Sequence, residues 1–155
     1  MISKFRHSGI VVNSLKKSEH FYCKLLNFKV LQKLVEEGPY WNKLIGDKNT
    51  KANIIKAKLP DNVVLELTEF QGFKKKLMKP KKYREVGTIH LCFTVNKIDN
   101  LYKKLKSRGV KFFSKPLNSI YDPVKTCFCY DPDYNLIQFV EGNQIKKKKS
   151  YKILR

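Results

Sequence analysis

The sequence predicts an α+β fold built from two paired βαβββ modules. Three observations carry this. The chain repeats itself in two separate blocks, each copy runs through the same succession of apolar periodicities, and polar residues recur at matched strand positions. The first block, "HSGIVVNSLKKSEHFYCKLLNFKV" (7 to 30), lies over "HLCFTVNKIDNLYKKLKSRGVKF" (90 to 112) at an offset of 83 residues. His7 meets His90, Val12 meets Val95, Asn13 meets Asn96 and Tyr22 meets Leu105; a one-residue gap then sets Phe28 over Val110. The second block, "LPDNVVLELTE" (59 to 69), lies over "DPDYNLIQFVE" (131 to 141) at an offset of 72 residues, which sets Glu66 over Gln138 and Glu69 over Glu141. One matched pair could be chance, but two in the same order point to a duplicated module.

Each module opens on a β-branched run, Ile10 to Val12 and Ile89 to Val95. Asn13 and Asn96 follow as expected helix N-caps. In the first module Leu15, Ser18, Phe21, Tyr22, Leu25 and Leu26 then fall at helical spacing, as do Ile98, Leu101, Tyr102 and Leu105 in the second. Asn27 and Gly109 suit a left-handed helix end. Short strands are expected near 28 to 35, 52 to 58 and 63 to 70, and again near 110 to 113, 124 to 130 and 135 to 141. The expected organisation is a first module over 1–71, a linker over 72–86, a second module over 87–142 and a basic C-terminal tail over 143–155. "EEGPYWNKLIG" (36 to 46) reads as an aromatic-bearing loop whose Tyr40 and Trp41 either line a substrate pocket or pack as hydrophobic groups.

The 155 residues suit one compact domain or two small fused halves, and 42% hydrophobic residues can fill a core. No apolar run approaches the ~20 residues of a membrane span. The N-terminal stretch lacks the features of a secretory leader, so a cytoplasmic setting is expected. Cys23, Cys92, Cys127 and Cys129 form no CxxC pair and read as reduced, mostly buried thiols. The formal net charge of +20 comes almost wholly from lysine. Such a chain attracts polyanions in a salt-dependent way, but arginine is scarce and no nucleic-acid-reading motif is present. Only nonspecific nucleic-acid contact is therefore expected.

His7 and His90 stand at the two first strands, and Glu66 and Gln138 within the two last strands. Alternation sets Glu66 and Gln138 on the face opposite their apolar neighbours. If the modules pair about a pseudo-twofold, all four side chains can converge. Two imidazoles, a carboxylate and an amide oxygen suit a divalent transition metal. Taken singly, His7 also reads as a surface histidine, His90 as a core histidine and Glu66 as a solvent-facing glutamate. His20 is expected to be exposed on its helix. Glu69 and Glu141, three residues beyond the donor positions, fall on the other strand face and read as rim or solvent groups.

Over residues 5 to 141, "HSGIVVNSLKKSEHFYCKLLNFKV", "VVLELTEF", "GTIHLCFTVNKIDNLYKKLKSRGVKF" and "CYDPDYNLIQFVE" resemble the vicinal-oxygen-chelate superfamily. That superfamily takes in glyoxalase I, methylmalonyl-CoA epimerase, extradiol dioxygenases and the fosfomycin- and bleomycin-resistance proteins. The resemblance implies a U-shaped sheet cleft, a divalent metal (Ni, Co, Zn, Mn or Fe) on His7, Glu66, His90 and Gln138, and a homodimer. It also implies a glyoxalase-like lyase or isomerase that moves a proton beside a carbonyl on a small carbonyl compound or its thiol adduct, with Glu66 as the base. A non-catalytic ligand-binding role, an epimerase or a dioxygenase are the other activities it allows. The chain departs from the family at Asn27, at Tyr134 in place of the turn glycine, where Asn135 is expected to take the left-handed conformation, and at Gln138 in place of a glutamate. A glutamine can ligate a metal but cannot accept a proton, so two-base chemistry fits poorly.

Overall fold

The computed structural model describes residues 1–73, 78–80 and 82–142, in two units, Met1–Lys79 and Pro80–Arg155. The expected basic tail, 143–155, lies outside the described residues, as do 74–77 and 81 of the expected linker. In the first unit, β1 (Ser8–Val11) runs parallel to β4 (Val64–Phe70). β4 pairs antiparallel with β3 (Lys51–Lys58), and β3 with β2 (Lys29–Glu37), giving the order β1-β4-β3-β2. β1 and β2 thus lie at opposite edges and run the same way, which requires a crossover rather than a hairpin. The crossover is α1 (Leu15–Glu19), continued by a π-helical turn (His20–Leu25). It buries Ser18, Phe21 and Tyr22. The Tyr22 ring meets those of Phe21 and Phe28 edge-on, at 5.0 and 5.9 Å between centroids. His20 is exposed, as expected. The aromatic segment expected as a loop instead forms a short helix, α2 (Pro39–Ile45), with proline at its first turn and Gly46 left-handed at its end. These are the residues that favour a helix start and stop.

The second unit repeats the topology. β5 (His90–Thr94) runs parallel to β8 (Leu136–Glu141), β8 pairs antiparallel with β7 (Lys125–Tyr130), and β7 with the two-residue β6 (Leu117–Asn118). The crossover is α3 (Ile98–Ser107), which buries Ile98 and Leu105. The strand expected at 110 to 113 is reduced to one bridge, Phe112 to Cys129. Bends at Phe113–Lys115 end it, ahead of Pro116, whose ring disfavours helix at the preceding residue and removes a ladder donor. Both units are α+β, with mixed four-stranded sheets. Among the described residues no helix is long and apolar enough to cross a membrane.

The helix starts differ from expectation. Ser14, not Asn13, takes the extended cap conformation, and its side chain accepts from the Lys17 N–H. In the second unit Lys97, not Asn96, precedes the helix, with left-handed backbone at φ 57° and no side-chain cap of its own. The two expected rim carboxylates supply the missing acceptors. Glu69 Oε2 accepts from Leu15 N–H at 2.8 Å. Glu141 accepts from Lys97 N–H and, at 3.3 Å, from Ile98 N–H. The strand face opposite the donor positions is therefore the helix face, not solvent. A carboxylate there meets otherwise unpartnered N–H groups at the positive end of a helix.

The turn before β8 is organised by buried Asp131, whose carboxylate accepts from Asp133 N–H at 2.9 Å and Asn135 N–H at 2.8 Å. Tyr134, not Asn135, takes the left-handed conformation, at φ 62°. The equivalent residue in the first unit, Asn62, does so at φ 66°. Asn135 is instead held by its side-chain amide on Asp131 at 2.9 Å. The cost of a left-handed tyrosine, on the order of 1 kcal/mol, is offset by its ring contacts with Tyr130 and with the Lys111 ammonium.

Glu69→Ala and Glu141→Ala are each expected to lower stability by about 1 kcal/mol, read from urea unfolding midpoints. All four cysteines are free thiols. Cys127 and Cys129 are buried on the helix side of β7, and burial, helped by the Asp99 charge, pushes the Cys127 thiol up to about 11. Burial also raises that of Cys129. An unfolded thiol ionises near ~8.5, so the stability contributed by these neutral thiols is complete below that pH. It is lost as pH rises toward about 11. In native protein exposed Cys92 should react with a thiol reagent first, and Cys127 and Cys129 only on unfolding.

Candidate functional site

His7 immediately precedes β1, and the β1–β4 register carries it to the face of β4 that bears Glu66. His7 Nε2 lies 3.9 Å from Glu66 Oε2. Lys56 on β3 pairs directly with Glu66 across the ladder, and its Nζ lies 3.3 Å from the same Oε2. The three side chains are 32%, 20% and 36% exposed for His7, Glu66 and Lys56, so the cluster is partly shielded yet open to solvent. The imidazole and the ammonium thus share one carboxylate oxygen, Oε2.

The second unit reproduces the register with different chemistry. His90 begins β5 opposite Leu136, two residues from Gln138 on the same face. The Gln138 amide nitrogen donates to Thr126 Oγ1 at 3.1 Å, and Thr126 Oγ1 donates to the Phe139 carbonyl at 2.9 Å. Since the single threonine proton is committed to that carbonyl, its oxygen must accept, and the amide must turn its NH₂ toward it. The Gln138 amide oxygen is therefore the end of the side chain turned away from Thr126. The residue across the ladder from Gln138, at the place Lys56 holds in the first unit, is Phe128. The His90 ring packs in a triangle with those of Tyr83 and Phe128, at 5.5 and 5.7 Å, with 5.2 Å between the latter two. One half-site is thus charged and the other aromatic.

Of the expected substrate-binding pair, Trp41 stacks on Phe70 at 6.2 Å, and its buried indole N–H has no acceptor among the described residues. Phe70 shares the Glu66 face of β4, four residues or roughly 13 Å along the strand. Tyr40 is exposed at 74%. A cavity of about 400 Å³ between α1, β2 and β3, lined by Leu15, Lys33, Val35, Ile55 and Glu69 among others, includes none of the expected site residues. Lys56, Tyr83 and Phe128 were not found by sequence reasoning. The signal for Lys56 was present, since the 72-residue offset that pairs Glu66 with Gln138 also pairs Lys56 with Phe128.

Imidazole nitrogen, carboxylate oxygen and amide oxygen are the donor types a borderline divalent cation accepts, and the His7–Glu66 separation is near that of two ligands on one metal. Within neither unit do three or more His, Cys, Asp or Glu side chains gather among the described residues. Each unit instead supplies one imidazole and one oxygen donor.

The fold has known relatives. A lactoylglutathione lyase of Schizosaccharomyces pombe is 29% identical over 155 residues, covering 94% of this chain and 49% of the relative. The chain thus spans about half the length of that curated relative. A glyoxalase family protein of Bacillus cereus superposes with a TM-score of 0.79 at 19% identity, covering 91% of this chain and 95% of the other. A genomically encoded fosfomycin resistance protein of Listeria monocytogenes does so with a TM-score of 0.61 at 17% identity, covering 92% and 96%. At these identities the two structures speak for the fold. With a family match over residues 4–139, the chain belongs to the Glyoxalase/Bleomycin resistance protein/Dioxygenase superfamily.

Proposed function

We propose that this chain is a glyoxalase-like, metal-dependent lyase or isomerase acting on a small carbonyl compound or its thiol adduct. The observation that carries the proposal is the donor register made twice, His7 with Glu66 and His90 with Gln138. The lactoylglutathione lyase relative supports the choice of substrate class. His7, Glu66, His90 and Gln138 are the residues that would hold a divalent cation. A bound divalent ion supplies Lewis-acid polarisation of a substrate carbonyl. Its identity among Ni, Co, Zn, Mn and Fe is left to metal analysis. The reading carries with it a cytoplasmic homodimer, and the four free thiols support a reducing compartment.

Glu66 is the base. Its Oε2 faces His7 and Lys56, so Oε1 takes the proton from the carbon beside the carbonyl and delivers it to the adjacent carbon. Gln138 cannot share this task, so one carboxylate performs both transfers. Tyr83 and Phe128 hold the His90 ring and present an apolar wall that limits water near it. Tyr40 and Trp41 would line the far part of the substrate site, Tyr40 as its exposed rim and Trp41 packed on Phe70.

Purified full-length protein should carry close to one divalent metal per chain and convert methylglyoxal with glutathione to the thioester. His7→Ala and His90→Ala should each abolish the metal. Glu66→Gln should lower turnover by at least ~10²-fold. Metal-free protein in which His7→Ala changes nothing would sink the proposal. Gln138 also favours a second reading, a non-catalytic module that sequesters a small ligand; it predicts ligand-dependent thermal stabilisation with no turnover.

A further inference from the structure

We infer that Lys56 is a positioning residue that acts through Glu66, an internal counterion that a divalent cation must displace to bind. The inference rests on the metal-centre reading above. Its structural basis is the β3–β4 ladder, which places Lys56 directly across from Glu66. The ammonium and the His7 ring converge on one carboxylate oxygen, at 3.3 and 3.9 Å. The arrangement is not a requirement of the sheet. The second unit builds the same ladder with Phe128 across from Gln138, so an apolar side chain serves equally well there. What Lys56 adds is charge beside the one carboxylate in the donor set.

The consequence is electrostatic. An exposed lysine–glutamate pair is worth little in isolation. A divalent ion on Glu66 must break that pair, and it then lies within a few ångströms of an ammonium that a partly shielded strand face screens incompletely. Lys56 therefore lowers metal affinity and keeps Glu66 neutralised when no metal is present. This reverses the usual expectation for a residue beside a ligand, where removal weakens the site.

The test is a Co²⁺ titration of the full chain, read by the ligand-field absorption of the ion and by calorimetry. Lys56→Met should bind Co²⁺ about tenfold more tightly than the unaltered protein. Lys56→Gln, which keeps a polar head should the methionine variant fold poorly, should shift affinity the same way. Lys56→Arg should retain the original affinity. In a Glu66→Gln background, Lys56→Met should change affinity by less than about twofold, because the effect passes through the carboxylate. Unchanged or weaker binding by both neutral variants overturns the inference while leaving the metal centre intact. So does tightening that persists without Glu66. If neither the unaltered protein nor any Lys56 variant takes up Co²⁺, the metal-centre reading fails and this inference with it.

Discussion

The bond from a strand carboxylate to the first N–H groups of a crossover helix holds each unit together where it matters. Glu69 reaches Leu15 and Glu141 reaches Lys97 and Ile98. Each bond ties the start of a helix to the last strand of its own module. The helix start is only a few residues beyond the first strand, so the bond also limits how that strand can slide along its parallel neighbour. A slip of one residue would move His7 or His90 to the opposite sheet face. The donor pairs thus depend on carboxylates that face away from them.

The same arithmetic explains what could be read in advance. The duplication, the succession of elements and the matched places of His7, His90, Glu66 and Gln138 follow from spacing, because alternation is local and strict. What escaped depended on the third dimension. Glu69 was assigned to solvent because alternation says which face a residue takes but not what covers that face. Asn13 and Asn96 suit caps by residue type, yet Ser14, Glu69 and Glu141 are the side chains that accept from the first N–H groups of the helices. The strand at 110 to 113 has strand composition but stops after one bridge at the bends ahead of Pro116. Tyr134 shows local preference yielding to context, since Asp131 commits Asn135 to its own carboxylate and leaves the left-handed position to its neighbour.

The two half-sites have kept geometry and exchanged chemistry. The first concentrates charge, with His7 and Lys56 on one oxygen of Glu66. The second is neutral and aromatic, with Gln138 oriented by Thr126 and His90 clustered with the rings of Tyr83 and Phe128. The repeated topology thus carries different side chains at matched places, Lys56 across from Glu66 in one unit and Phe128 across from Gln138 in the other.

The π-helical turn at His20–Leu25 bears on the history of the duplication. There Leu26 N–H reaches back five residues to the Phe21 carbonyl instead of four. A turn closed that way holds one residue more than an α-helical turn. The two modules align at an offset of 83 residues up to Tyr22, and at 82 from Asn27 onward. The discrepancy of one falls inside this turn. The extra residue of the first copy is accommodated as a local widening of the helix. It did not propagate into the following strand, so the common ancestry of the halves can still be traced through both.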